Sequence, residues 1–90
     1  MMFIVICKDK KNSLKKRLAN RELHLNHLKS IKSKTILAGP LLNKSNKPKG
    51  SILILNFEKK QELLAFLKND PYVKVNLFKE VIIEKFKRVF

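Results

Sequence analysis

The stretch that most limits this chain is Met2-Phe3-Ile4-Val5-Ile6-Cys7, an unbroken apolar run rich in β-branched side chains and stopped by Lys8-Asp9-Lys10-Lys11-Asn12. A run of this length and type reads as a strand buried on both faces. It is too short to span a bilayer, and nothing else in the chain approaches transmembrane length. It also lacks the basic leader and small-residue cleavage site of a secretory signal. The expectation is therefore a cytoplasmic protein with no membrane contact. Within 90 residues there is material for one hydrophobic core, so residues 1–90 are expected to form a single domain that self-association would help.

After the basic stop, Asn12 or Ser13 can cap a helix with its side-chain oxygen. From Leu14 to about Lys32 the period is helical, and a step of about 100° per residue gathers Leu14, Leu18, Leu25 and Leu28 into one stripe. Arg21 falls in the middle of that stripe, where a charge needs a partner or a cavity. His24 lies on its flank, His27 about 60° further out, and Leu23 on the opposite side. Thr35-Ile36-Leu37-Ala38 reads as a strand ended by Gly39-Pro40. Residues 43–50 hold three Lys and no apolar residue, an exposed connector. Ser51 to Phe57 is the next strand. Glu58 to Asn69 is a helix with Leu63, Leu64, Phe66 and Leu67 on its apolar face, halted by Asp70-Pro71. Val73, Val75, Leu77, Lys79, Val81 and Ile83 then alternate with Lys74, Asn76, Glu80 and Glu84 as a final long strand.

The order β-α-β-β-α-β is the ferredoxin-like split pattern, an α+β fold with two helices on one face of an antiparallel sheet. In this reading Phe78 and Ile82 leave apolar surface on the other face. A second copy packed face to face would cover it, which makes a homodimer the expected assembly.

A formal net charge of +14 and a pI near 10.2 invite a nucleic-acid reading through phosphate neutralisation. The composition argues against it: Lys outnumbers Arg 18 to 3 and Asn and Ile number 8 each, the joint bias of AT-rich codons at tolerant surface positions. Phosphate readers use more Arg, whose planar fork binds bidentately, and no strand carries an aromatic pair for base stacking. The alternative, a nucleic-acid or acidic-partner module, would rest on Lys8, Lys10, Lys11, Lys15, Lys16 and Arg17, reinforced by Lys44, Lys47 and Lys49. Cys7 has no partner for a disulfide and reads as a core thiol. His24 and His27 lack Cys or carboxylate neighbours at ligand spacing, so no metal is expected. With Gly39 and Gly50 the only glycines, there is no phosphate-cradling loop and no cofactor is expected.

Acid-base chemistry needs a group that titrates near neutrality, held by an orienting partner. His24 is that group and Asp70, at the turn after the second helix, is the candidate partner. The plainer readings are a packed or solvent-facing histidine and an Asp-Pro turn starter, and periodicity alone favours them.

The residues Arg21-Glu22-Leu23-His24-Leu25, Ala38-Gly39-Pro40, Gly50-Ser51, Asp70-Pro71-Tyr72 and Phe86-Lys87-Arg88-Val89-Phe90 carry, in order, a resemblance to the YCII (YciI-like) family over essentially the whole chain. The resemblance implies a ferredoxin-like unit that pairs into a dimeric α+β barrel. It implies His24 and Asp70 as an acid-base pair in a pocket, Arg21 as a pocket residue for an anionic group, and Ser51 with Gly39-Pro40 as the pocket wall. One branch of that family removes chloride from a chlorinated hydroxyquinol, and most members have no assigned substrate. Glu22, Val75-Asn76 and Lys85 depart from the family pattern, where proline, a small-residue step and proline are frequent. His27 has no consistent counterpart and reads as an exposed polar residue. The leading expectation is thus a small enzyme that moves a proton on an anionic hydroxylated or carbonyl-bearing molecule. A dimer that has kept the fold and lost catalysis is the third reading.

Overall fold

The computed structural model describes residues 1–90. Its elements are β1 (Met2–Asp9), α1 (Leu14–Ala19), α2 (Arg21–Lys29), a 3₁₀ turn at Lys32–Lys34, β2 (Thr35–Leu42), β3 (Pro48–Asn56), α3 (Lys60–Lys68), α4 (Pro71–Lys74) and β4 (Phe78–Phe86). The four strands form one sheet in the order β2-β3-β1-β4, every neighbouring pair antiparallel. This is the ferredoxin-like α+β arrangement expected from the element order. No helix is long and apolar enough to cross a membrane.

The apolar run at the start becomes β1, flanked by strands on both edges, and its two faces differ in cover. Phe3, Val5 and Cys7 point under the helices and are buried, whereas Met2, Ile4 and Ile6 on the other face are half-buried. The core joins Phe3 and Val5 to Leu53 and Leu55 of β3, Leu28 of α2, and Leu63, Phe66 and Leu67 of α3. Each fully buried side chain of this size contributes about 1.5–3 kcal/mol relative to exposure. β1 and β3 approach closely at Gly50, where an added Cβ would sit 2.3 Å from the carbonyl oxygen of Cys7. Only glycine fits there, and the same register sets Ser51 opposite Cys7 on the helix-covered face.

Four sequence expectations change. The helix expected over residues 14–32 is two helices meeting at Asn20, whose backbone (φ −110°, ψ 5°) leaves the helical region while its side-chain amide donates to the Lys16 carbonyl at 2.9 Å. Asparagine competes for backbone groups in this way. The break turns α1 relative to α2: Leu18 and Arg21 come to the surface and Arg17 goes inside. Gly39-Pro40 does not end β2, which runs to Leu42, because both residues sit on a sheet edge where the missing proline N–H costs no ladder bond. The connector is shorter than residues 43–50. Asn43 folds it by accepting from the amides of Ser45 and Lys47 at 2.9 and 3.1 Å, and β3 begins at Pro48.

The largest change is at residues 71–77, expected as the start of the last strand. Asp70 caps α4 by accepting from the Tyr72 amide at 2.9 Å, and Pro71 occupies its first position. Asn76 ends it with φ 62°, letting Leu77 N donate to Tyr72 O and Asn76 N to Val73 O, both at 3.0 Å. That is a Schellman closure with asparagine in the left-handed position. Tyr72 and Leu77 are buried as a result, and Phe78 packs against the core instead of the open face. Ile82 alone of that pair stays on the open face, opposite Ile6.

Candidate active site

A pocket with about 160 Å³ of free space lies between the α1–α2 helices and the β2–β3 edge of the sheet. Its lining includes His24, Arg21, Gly39, Pro40 and Ser51 from the sequence reading, joined by Arg17 and Tyr72. Asp70 stands behind His24, 1% exposed.

His24 is 6% exposed, held by a side-chain hydrogen bond and a stacked ring. Its Nδ1 is 2.9 and 3.0 Å from the two oxygens of Asp70. A carboxylate only accepts, so Nδ1 carries the proton and donates, which leaves Nε2 as the acceptor nitrogen. The imidazole lies on the Tyr72 ring, centroids 4.0 Å apart and planes 14° from parallel. Every buried side-chain nitrogen and oxygen in the chain has a hydrogen-bond partner. Nε2 has none within the chain, so the little exposure that His24 retains includes this nitrogen, at the pocket.

The two arginines divide differently from the sequence expectation. Arg21 is exposed, at the pocket rim, and does not interrupt an apolar stripe. Arg17, read as part of a solvated basic cluster, is 4% exposed and is removed from that cluster. Its Nε donates to Asp9 Oδ2 at 2.7 Å, and its Nη2 to Asp9 Oδ1 and Ser51 Oγ at 2.9 Å each. Its guanidinium carbon sits 4.7 Å from the Tyr72 ring centre. Burial works against the Arg17 charge, yet the hydrogen bonds and charge of Asp9 outweigh it and hold the group above its ordinary range. Burial raises Tyr72 above the usual phenol range, with the charges of Arg17 and Arg21 pulling the other way. Burial, then the negative charge of Asp70, pushes the Cys7 thiol up to about 12. At that value Cys7 stays protonated and offers no nucleophile.

Sequence reasoning passed over Arg17, Asp9 and Tyr72. Helical period carried no signal for Arg17, because its inward turn depends on the break at Asn20. Asp9 had no signal either, because its role depends on a bulge between Lys8 and Asp9 in the β1–β4 pairing. His27 is not an exposed polar residue either. It is half-buried, with Nε2 2.7 Å from the Phe66 carbonyl and its ring stacked on Phe66 at 4.1 Å, tying α2 to α3. No group of three or more metal-ligating side chains is present.

The model of the YCII-related domain matches residues 1–87. The chain belongs to the YCII family. It is 36% identical to an uncharacterised Haemophilus influenzae protein and 34% identical to protein YciI of Escherichia coli O6:H1, each alignment covering 100% of both chains. Among solved structures, the chain is similar to 5-chloro-2-hydroxyhydroquinone dehydrochlorinase (TftG) of Burkholderia phenoliruptrix AC1100 in complex with 2,5-dihydroxybenzoquinone. The TM-score is 0.91 at 35% identity, covering 97% of this chain and 94% of that one. A putative antibiotic biosynthesis monooxygenase from Bacteroides thetaiotaomicron shares the fold alone, at 7% identity and TM-score 0.63 over 100% of this chain and 90% of the other.

Proposed function

We propose that this YCII chain is a small-molecule enzyme in which His24 exchanges a proton with a hydroxylated or carbonyl-bearing substrate. Asp70 holds the Nδ1–H tautomer and stabilises the imidazolium that forms when Nε2 takes a proton. Arg21 at the rim draws in an anionic group, and Ser51 with Gly39-Pro40 shapes the wall. The observation that carries the reading is the His24 geometry: Nδ1 is tied to a buried carboxylate and Nε2 is left at a pocket of about 160 Å³. An engineered cavity of about 150 Å³ takes up benzene, so the space suits one six-membered ring. The ligand in the TftG structure, 2,5-dihydroxybenzoquinone, is a ring of this size bearing hydroxyl and carbonyl oxygens.

We further propose that the chain works as a homodimer joined through the open sheet face. Ile4 and Ile6 of β1, Ile52 and Ile54 of β3 and Ile82 of β4 line that face as half-buried side chains, with Leu37 of β2 exposed beside them. A contiguous apolar surface of this kind is what a self-complementary two-fold interface covers.

The test is calorimetric titration with 2,5-dihydroxybenzoquinone, together with chloride release from 5-chloro-2-hydroxyhydroquinone. Binding by the wild type that weakens at least about tenfold in His24→Ala supports the reading. Equal binding by both proteins contradicts it.

A further inference from the structure

We propose that His27 is a positioning residue for the acid-base pair: its ring ties α2 to the last turn of α3 and thereby sets how closely His24 meets Asp70. The inference rests on His24 and Asp70 acting as that pair. It gives His27, which lies outside the pocket lining, a part in the reaction without contact to substrate.

Hydrogen bonds join α2 to another helix or to the sheet at two points, and both are histidine rings. His24 Nδ1 meets Asp70, and His27 Nε2 lies 2.7 Å from the Phe66 carbonyl oxygen. The two rings stand three residues apart on one helix, about 4.5 Å along its axis. Leu28 also packs α2 on the core, but burial of apolar surface is non-directional and does not fix the position of a helix along its axis. A second bonded point, nearly one turn from the first, does.

The far end of this strut is joined to Asp70. The Phe66 carbonyl is one of the last four of α3, which find no partner within a helix, and it also accepts from the Asn69 amide at 3.2 Å. The next amide, Asp70 N, donates to the Leu67 carbonyl at 3.0 Å. The Asp70 carboxylate is held in turn by the Tyr72 amide at 2.9 Å. The anchor of His27 and the partner of His24 thus belong to one bonded turn. With that side fixed, the approach of His24 to Asp70 depends on where α2 sits.

Both imidazoles are also stacked. His27 lies on the Phe66 ring with centroids 4.1 Å and planes 12° apart, as His24 lies on Tyr72 at 4.0 Å and 14°. Phe66 is buried and packs on Phe57, centroids 5.9 Å apart. Stacking fixes the plane of a ring, and a hydrogen bond fixes its heading within that plane. A carbonyl only accepts, so His27 carries a proton on Nε2 in the neutral ring and in the imidazolium alike. The strut therefore persists whichever charge state His27 holds.

His24 Nδ1 is 2.9 and 3.0 Å from the two oxygens of Asp70, a centred approach that sliding α2 along its axis would make one-sided. In enzymes generally, a misplacement of about 1 Å can cost about 10²-fold in rate.

The experiment compares wild type with His27→Gln, His27→Phe and His27→Ala by ¹H–¹⁵N spectra of ¹⁵N-histidine-labelled full-length protein, with and without 2,5-dihydroxybenzoquinone. The chain has 2 histidines, so every resonance of a variant belongs to His24. Glutamine keeps an N–H donor without the ring, and phenylalanine keeps the ring without the donor. His27→Gln is expected to retain the Nδ1–H signal of His24 and to bind the ligand within about twofold of wild type. His27→Phe and His27→Ala are expected to move His24 towards a mixture of tautomers, to speed exchange of its Nδ1 proton at least about tenfold and to weaken ligand binding at least about threefold. A His24 Nδ1–H signal unchanged in all three variants, even with lowered urea stability, overturns the inference and spares the acid-base reading. A wild-type His24 that the ligand leaves unmoved overturns the acid-base reading and the positioning role with it. His27→Phe decides the matter even where His27→Ala does not fold.

Discussion

Asp70 Oδ1 lies 2.9 Å from His24 Nδ1, across 46 positions of sequence, and the same oxygen receives the Tyr72 amide at 2.9 Å. One carboxylate thus starts α4 and orients the imidazole. The ring that stacks on His24 belongs to the helix that Asp70 caps, so local chain geometry and site geometry share an atom.

That sharing makes Asp70→Asn and Asp70→Ala informative together. Asparagine caps as well as aspartate but brings no negative charge to hold an imidazolium. Asp70→Asn is expected to stay within about 1 kcal/mol of wild type in urea unfolding and to lose about 10²-fold or more in turnover of whichever substrate is found. Asp70→Ala is expected to lose comparable activity and a further ~1 kcal/mol of stability from the missing cap.

Asp9 and Arg17 form a buried pair, with side chains 6% and 5% exposed. Removing one partner leaves an uncompensated charge inside. Asp9→Asn is expected to cost about 3–5 kcal/mol in urea unfolding, and the double variant Asp9→Leu/Arg17→Met to recover most of it. Equal losses in the single and double variants would show that the pair contributes through shape alone.

Cys7 gives a pH dependence with a definite sign. Its thiol is held up to about 12 in the folded chain against 9.0 as the ordinary value. Above the ordinary value the unfolded chain has lost this proton and the folded chain keeps it, so folding stability falls as pH rises from about 9 towards 12. The slope contributed by this one group is about 1.4 kcal/mol per pH unit. Raised Tyr72 acts in the same direction above its own ordinary range. Urea midpoints of wild type and Cys7→Ala should therefore converge across that window. Parallel curves would remove Cys7 as a cause.

The open sheet face is tested by one charge at its middle. Ile54, paired to Ile4 on one side and Leu37 on the other, is expected in Ile54→Lys to yield a folded monomer. Light scattering is expected to read a mass near the 10.5 kDa of one chain for the variant, and twice that for wild type. A wild type that is already monomeric at all concentrations would end the dimer proposal.

The fold was legible because its signals are additive over many residues. The run of residues 2–7, the stripe with Leu25 and Leu28, and the apolar face of Leu63, Phe66 and Leu67 each repeat a period several times. The segment 71–77 was misread because valine at 73 and 75 and leucine at 77 imitate a strand. A four-residue helix is set by its ends instead, by Asp70 in front and Asn76 behind, which no period reports. Arg17 was misread for a related reason: a basic residue among Lys15 and Lys16 looks solvated unless the break at Asn20 and the bulge at Asp9 are known. His24 and Asp70 were nameable through the family motifs, whereas their 2.9 Å approach depends on how α2 packs against α4.

The most direct measurement of the central claim is the side-chain ¹H–¹⁵N spectrum of His24, taken at a pH where the ring is neutral, with and without 2,5-dihydroxybenzoquinone. The expected spectrum has the proton on Nδ1, a bare Nε2, and an Nε2 resonance that moves as the ligand saturates. A proton on Nε2 with Nδ1 bare, or an Nε2 resonance unmoved at saturation, would contradict the assignment of His24 as the acid-base group of this pocket.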